Sequence, residues 1–403
     1  MAKRLLQIDS CLNMLSTGRI TESIGKLAID RGWECYIIHG ARFVRPGSCM
    51  HAIQAVSKLG EYAHYAESLM LDNHGLASRR AAKKIVEQIK QINPDIIQLH
   101  CVHGYYMNYK ILFEYLNTTR IPVVWTFHDC WAFTGHCAHF VTVGCEKWKT
   151  ECFDCPLKGD YPKTIIDNSK RNYNLKKSLF AANSNLHIIS VSNWLADLTK
   201  QSFLKNKDIN VIHNGVDLIS FSPKEVRGTD RFRILGVSGV WYKDKGLYDF
   251  YKLRELLDKD RYEIVMIGLS GEQIKGLPEG IIGIERTTSV TELAEYYSSA
   301  DVFFNPTYAD SFPTVNMEAL ACGTPVITYN TGGSPEIIDR LTGYVVEQGD
   351  IEGASSIIKN LAVKNMEELL EQSRECRLRA EQHFDKNKCF EHYIGLYEGL
   401  LNK

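Results

Sequence analysis

No excess of charge of either sign marks this chain: its 403 residues carry 47 basic and 48 acidic side chains, so the balance does not point to nucleic acid. No apolar run approaches the length needed to cross a bilayer. The N-terminus, MAKRLLQIDSCLNML, begins basic but meets Asp9, Ser10 and Asn13 before a signal-peptide core can form, and it reads as the first strand of a cytoplasmic protein. No sustained repeat or low-complexity segment interrupts the sequence. No Asp-x-Asp is placed at a strand end to carry a diphosphate-bound cation. What is present is a globular composition, 44% apolar and 24% charged, with enough chain for two cores rather than one.

Short β-rich runs alternate with amphipathic segments from end to end: RLLQID, ECYIIHG, DIIQLHC, IPVVWTFH, HIISVS and INVIHNG, then RFRILGVS, YEIVMIG, VFFNPT and PVITY. Strands alternating with helical patterns imply βαβ units and parallel sheets. In SRRAAKKIVEQIKQI (78–92), Ala81, Ile85, Ile89 and Ile92 recur at helical spacing and predict a helix with one face on a sheet. The polar stretch NGVDLISFSPKEVRGTD, from Asn214, reads as a linker. The expected architecture is α/β: two Rossmann-like domains facing one cleft, 1–222 joined by a terminal helix over 386–403, and 223–385. In FDKNKCFEHYIGLYEGLL, Phe390, Tyr393, Leu396 and Leu400 carry the apolar face of that helix.

The segment ADSFPTVNMEALACGTPVIT concentrates the chemistry. VFFNPTYADSF reads as a strand and loop, and Thr314 as the N-cap of a helix TVNMEALAC that Gly323 ends. Asp310 then lies in the loop at the strand's carboxyl end and Glu318 in the first turns of the helix. Free N–H groups at the helix start can hold a phosphate. A carboxylate accepts from two neighbouring hydroxyls, so Glu318 suits a ribose diol and Asp310 the hydroxyls of a hexose. Capping and solvent exposure are the plainer reading of either acid alone.

The segment ADSFPTVNMEALACGTPVITYNTGGSPEII resembles the C-terminal signature of the retaining GT-B glycosyltransferases of family four, an acid, seven residues, then Glu. Further features of that family follow in order: S-T-G at 16–18, His128-Asp129, SVSNW at 190–194, VIHNGVD at 211–217, Lys245-Gly246 and LTGYVVEQGD at 341–350. Within it, HDCWAFTGHCAHF and the cysteines after it are similar to enzymes of bacterial capsular and exopolysaccharide synthesis, including colanic-acid-type transferases.

The resemblance implies transfer of a sugar from a nucleoside diphosphate to a glycan or lipid-linked acceptor, with retention and without a catalytic metal. UDP is favoured on frequency within the family, GDP being the other candidate. Lys245 matches the diphosphate lysine and Glu318 the ribose-binding glutamate. His128 is expected to contact the donor sugar, Gly18 to let the first loop approach the diphosphate or acceptor, and Arg286 to lie near the base. The family's usual Arg before the lysine is missing from SGVWYKDKG, leaving Lys243 as its substitute. Asp310 stands where Glu is usual. Pro313 stands where Gly is common, so the amides of Phe312, Thr314 and Val315 are left to cradle the phosphates. Two other classes remain open: a sugar-nucleotide-binding subunit without catalysis, and a GT-B nucleotide-sugar epimerase. The pathway class implies peripheral contact with the inner membrane face, to which the basic run SRRAAKK (78–84) is the sequence's candidate contribution.

Of 12 cysteines, five fall between Cys130 and Cys155. Cys137, Cys145, Cys152 and Cys155 lie in a loop with little apolar alternation, and Cys152-x2-Cys155 has the spacing of paired ligands, so one structural zinc is expected there. His136 and His139 are alternative ligands, and reduced free thiols the competing reading.

Overall fold

The computed structural model describes residues 2–225 and 230–402. The chain divides into two compact units, Met1–His213 with Phe390–Lys403, and Asn214–Cys389. Residues 226–229 of the expected linker lie outside the described residues.

In the first unit β1 (Arg4–Leu12), β2 (Glu34–Val44), β3 (His51–Gln54), β4 (Ile96–Leu99), β5 (Val123–Phe127), β6 (Leu186–Ser190) and β7 (Asp208–Val211) form one sheet in the order β3-β2-β1-β4-β5-β6-β7. All its pairings are parallel. The central strands are mostly apolar because helices cover both faces, with a few buried polar residues such as Gln98 and Thr126, and every residue of β4 and β5 is buried. From the terminal helix, Tyr393 Oη lies 3.1 Å from Thr126 Oγ1 and Tyr397 Oη donates to Gln98 Oε1 at 3.0 Å. The residues beyond 389 thus complete the first unit's core.

The second unit repeats the plan. Its strands β8 (Phe232–Val237), β9 (Tyr262–Ile267), β10 (Ile281–Ile284), β11 (Val302–Asn305), β12 (Val326–Tyr329) and β13 (Gly343–Val346) run parallel in the order β10-β9-β8-β11-β12-β13. Phe250, Met266, Phe304 and Tyr329 lie in its core. Asn214–Asp217 are held within this unit: Val216 donates to Phe384 O at 2.7 Å, and Lys386 Nζ pairs with Asp217 at 2.8 Å. A Cβ at Gly215 would fall 2.3 Å from Lys386 Cα, so only glycine admits that approach.

Each sheet reverses its winding once, between β1 and β4 and between β8 and β11. Loops leaving the carboxyl ends of strands diverge at such switch points, and crevices form there. The helix expected over 78–92 is Arg79–Ile92, with Ala82, Ile85, Val86 and Ile89 buried. Its inward stripe is set one residue on from Ala81 and does not reach Ile92.

Candidate functional site

In the second unit the loops after β8 and β11 hold Lys243, Lys245 and Asp310. After β8 the chain makes a tight turn, Lys243–Lys245, closed by Gly246 at φ +76°. A Cβ on Gly246 would lie 2.4 Å from Pro306 O, so glycine lets the turn rest on the start of the β11 loop. Tyr308 N donates to Asp244 O at 2.8 Å and joins the two loops. Lys245 Nζ thereby reaches Asp310 Oδ2 at 2.8 Å, both side chains one-quarter exposed. Burial by itself would lower the lysine's pKa, but the Asp310 carboxylate outweighs it and raises it. The turn at Gly332 packs behind Asp310, where a Cβ would overlap Asp310 O at 1.8 Å.

Gly246→Ala tests this scaffold. A left-handed φ costs an L-residue about 1–2 kcal/mol before any overlap is counted. The variant is expected to lower the thermal unfolding midpoint and to weaken nucleotide binding together; an unchanged midpoint would contradict the packing described.

The helix Thr314–Ala321 follows the β11 loop. Thr314 is its first helical residue rather than its cap; Pro313, extended at ψ 116°, precedes it, and no side chain caps the end. The amides of Thr314 and Val315 open the helix and have no intrahelical acceptor. The Phe312 amide departs from expectation: it donates to Asp310 Oδ1 at 3.2 Å and so helps orient that acid. Glu318 is buried and accepts from the Tyr297 hydroxyl at 3.0 Å. Lys243 is exposed at the start of the turn. Arg286, also exposed, follows the edge strand β10, which β9 separates from β8. The structure therefore joins Lys245 to Asp310 and puts Thr314 and Glu318 on the helix that follows the same loop, while Arg286 follows a strand two places from β8.

In the first unit His128 follows β5. Its Nε2 lies 3.1 Å from His100 Nδ1, with the two rings stacked. Burial lowers His128 to about 4, so it is a neutral imidazole at pH 7. Asp129 pairs with His103 Nε2 at 3.0 Å, and His103 Nδ1 meets the Tyr161 hydroxyl at 3.1 Å. Burial would raise the Asp129 carboxyl, but His103 outweighs it and holds the group below the ordinary carboxylate value. Sequence reasoning missed His100, His103 and Tyr161. For the two histidines the signal was in LHCVHG (99–104), of which only Leu99–Cys101 were read, as the end of a strand; its relevance depends on β4 lying beside β5.

Two expectations are corrected. Gly18 is not in a loop: it is buried in the helix Leu15–Asp30, where a Cβ would lie 3.0 Å from Cys11 Cβ and 3.2 Å from Asn13 N. A side chain there would crowd the chain's own strand end. The zinc on Cys137, Cys145, Cys152 and Cys155 is not supported. These cysteines line one small pocket with His136. Yet among the described residues no group of three or more His, Cys, Asp or Glu is arranged to hold a metal ion. Cys137 is hydrogen-bonded to Cys155, Cys152 Sγ accepts from Gly135 N at 3.2 Å, and His136 Nδ1 is 2.7 Å from Asp72. The loop has another staple. Trp148 stacks on Phe140 at 4.9 Å, and the buried Lys176 ammonium donates to Trp131 O at 2.6 Å while lying over the Trp131 ring.

A family model described as Glycosyltransferase Family 4 matches residues 18–219, and one described as Glycosyl transferases group 1 matches 231–363. A protein of Escherichia coli (strain K12) named for colanic acid biosynthesis, the glycosyl transferase WcaC, is 26% identical over 270 residues. That match covers 64% of this chain and 65% of the relative, so it spans less than two thirds of the relative's length. Among solved structures, sucrose-phosphate synthase from Thermosynechococcus elongatus superposes with a TM-score of 0.73 at 16% identity, covering 99% of both chains. Anabaena Alr3699/HepE in complex with UDP-glucose gives 0.65 at 15%, covering 98% of this chain and 99% of that one. These two likenesses concern the fold, which is GT-B.

Proposed function

We propose that this chain, which belongs to glycosyltransferase family 4, moves a sugar from a nucleoside-diphosphate sugar to a glycan or lipid-linked acceptor in bacterial surface-polysaccharide synthesis, with retention of anomeric configuration. The observation that carries this reading is the grouping of Lys245, Asp310, the start of the helix Thr314–Ala321 and Glu318 beside the β8/β11 switch point. Negative charge develops on the departing diphosphate, so a fixed ammonium and unpaired helix amides there supply the largest stabilisation. Lys245, Thr314 and Val315 are assigned to the diphosphate, Glu318 to the ribose, and Asp310 to orienting Lys245 and meeting the hexose hydroxyls. Lys243 is assigned to the outer phosphate rim. UDP is the favoured nucleotide, in keeping with the ligand named for the Anabaena structure.

Retention fits the character of His128. An imidazole titrating near 4 is a weak base at pH 7, so the acceptor's proton is assigned to the leaving phosphate on the same face, and His128 to hydrogen bonding with the transferred sugar. The colanic-acid relative's name motivates the surface-polysaccharide setting.

A thermal-shift series with UDP- and GDP-sugars tests the reading. A true donor raises the unfolding midpoint with its concentration, since it binds only the folded chain. No shift with any nucleotide sugar would overturn the assignment, and binding without nucleotide release on incubation with acceptor extracts would favour the non-catalytic subunit. Turnover is expected to persist in excess EDTA, because Lys245 and the helix amides take the place of a cation. Loss of activity restored by magnesium or manganese would contradict that.

A further inference from the structure

The helix Lys58–Leu71 in the first unit is inside out. Its buried stripe is Glu61, His64 and Ser68. Glu61 accepts from Arg42 Nε at 2.8 Å, His64 Nδ1 lies 2.9 Å from Ser78 Oγ, and His64 Nε2 accepts from Gly75 N at 3.2 Å, so its charged and imidazole groups are satisfied from within. Of its eight exposed residues, Lys58 is charged and the other seven are apolar or aromatic. Leu59 is 78% exposed, Tyr62 60% and Met70 53%, with Tyr65 and Leu71 beside them. A surface helix of a globular protein has the opposite arrangement.

A second segment extends the face. Ile165 N donates to Leu69 O at 2.8 Å and Asn168 Nδ2 to Leu71 O at 3.0 Å, which sets the exposed Ile165 and Ile166 at the end of the helix. Isolated exposed apolar residues are ordinary; seven large ones on two adjoining segments mark an interaction surface.

We propose that this face rests on a phospholipid bilayer containing anionic lipid, with the helix Lys58–Leu71 lying in the plane of the headgroups. Tyrosine rings beside leucine, isoleucine and methionine suit the boundary between headgroups and acyl chains. Charge selects the bilayer over a second copy: around the face, Lys58, Lys158 and Lys163 exceed Asp160 and Asp167 by one, and Glu67 on the helix is neutralised by Arg79, so the rim is net positive. Anionic headgroups neutralise such a rim, whereas a self-dimer would oppose it to itself. The inference rests on the transferase reading only in supposing a lipid-linked acceptor. It moves the membrane contact from the basic run 78–84 to an apolar face.

The test is sedimentation of the full chain with vesicles of phosphatidylethanolamine and phosphatidylglycerol. Wild type is expected to sediment with them, the triple variant Leu59→Ser, Tyr62→Ser, Ile165→Ser to lose binding about tenfold or more, and Lys83→Ser with Lys84→Ser to bind as wild type. These side chains are exposed, so the triple variant is expected to fold, and stabilisation by UDP-glucose is expected to survive in it. The proposal is overturned by wild-type binding in the triple variant, by no vesicle binding in wild type, or by a wild-type dimer that the triple variant converts to monomer in light scattering. Vesicle binding without any response to nucleotide sugars would defeat the transferase reading and leave the docking face standing.

Discussion

Lys245→Ala is expected to lower sugar transfer by about 100- to 1,000-fold, the loss typical of removing one fixed group that stabilises developing charge, and Glu318→Ala to lower it through lost ribose binding. Lys245 is the cation that the β8 turn presents at the second unit's switch point, and Asp310 already holds it at 2.8 Å. Its removal leaves a carboxylate that is one-quarter exposed and still bonded to the Phe312 amide, so the fold should hold. Glu318 differs because it is buried and accepts from Tyr297, whose hydroxyl would be orphaned at a cost of about 1–3 kcal/mol. Glu318→Gln retains an acceptor for that hydroxyl and separates lost stability from lost binding. Steady-state turnover, with an unfolding midpoint for each variant, makes the measurement. Near wild-type turnover in folded Lys245→Ala would remove the diphosphate assignment.

The protein is also expected to lose stability steeply between pH 6.5 and 4. Burial lowers His64 and His128 to about 4 and pushes His74 and His100 well below the ordinary 6.5. In that window the unfolded histidines bind protons and the folded ones do not, so stability falls as pH falls, by about 1.4 kcal/mol per pH unit for each histidine. Asp9 acts in the opposite direction: burial raises it to about 6, so between the ordinary 3.8 and 6 its folded form holds a proton that the unfolded form has released. Burial also raises Asp249 and Asp301 and lowers His39, and the four deeply lowered histidines outweigh the raised acids. Unfolding midpoints at pH 7, 6 and 5 should drop progressively, and His64→Gln should flatten the trend. A level profile would show that these imidazoles are protonated in the folded chain.

Much of the architecture was legible because it rests on local patterning. Alternating β-rich and helical runs specify parallel sheets, and the spacing of Asp310 and Glu318 was enough to place one on a loop and the other on a helix. Lys245 was assigned from its motif, but its ion pair with Asp310 joins residues 65 positions apart and requires β8 and β11 to be neighbours. The same holds for His103, Asp129 and Tyr161, which lie on three separate segments.

What the chain's own order determined is which groups are available: an ammonium next to a turn glycine, two acids at fixed separation, and apolar runs of strand length. Tertiary structure decided what those groups meet. It gave Gly18 to a close approach of the chain itself, spent the Phe312 amide on Asp310, and set Cys137, Cys152 and Cys155 against each other and the backbone. It also turned the helix Lys58–Leu71 so that Glu61, His64 and Ser68 face inward. Periodicity along a sequence marks a helix's two faces, but which face is buried depends on the partners waiting there, and Arg42, Gly75 and Ser78 supplied polar ones.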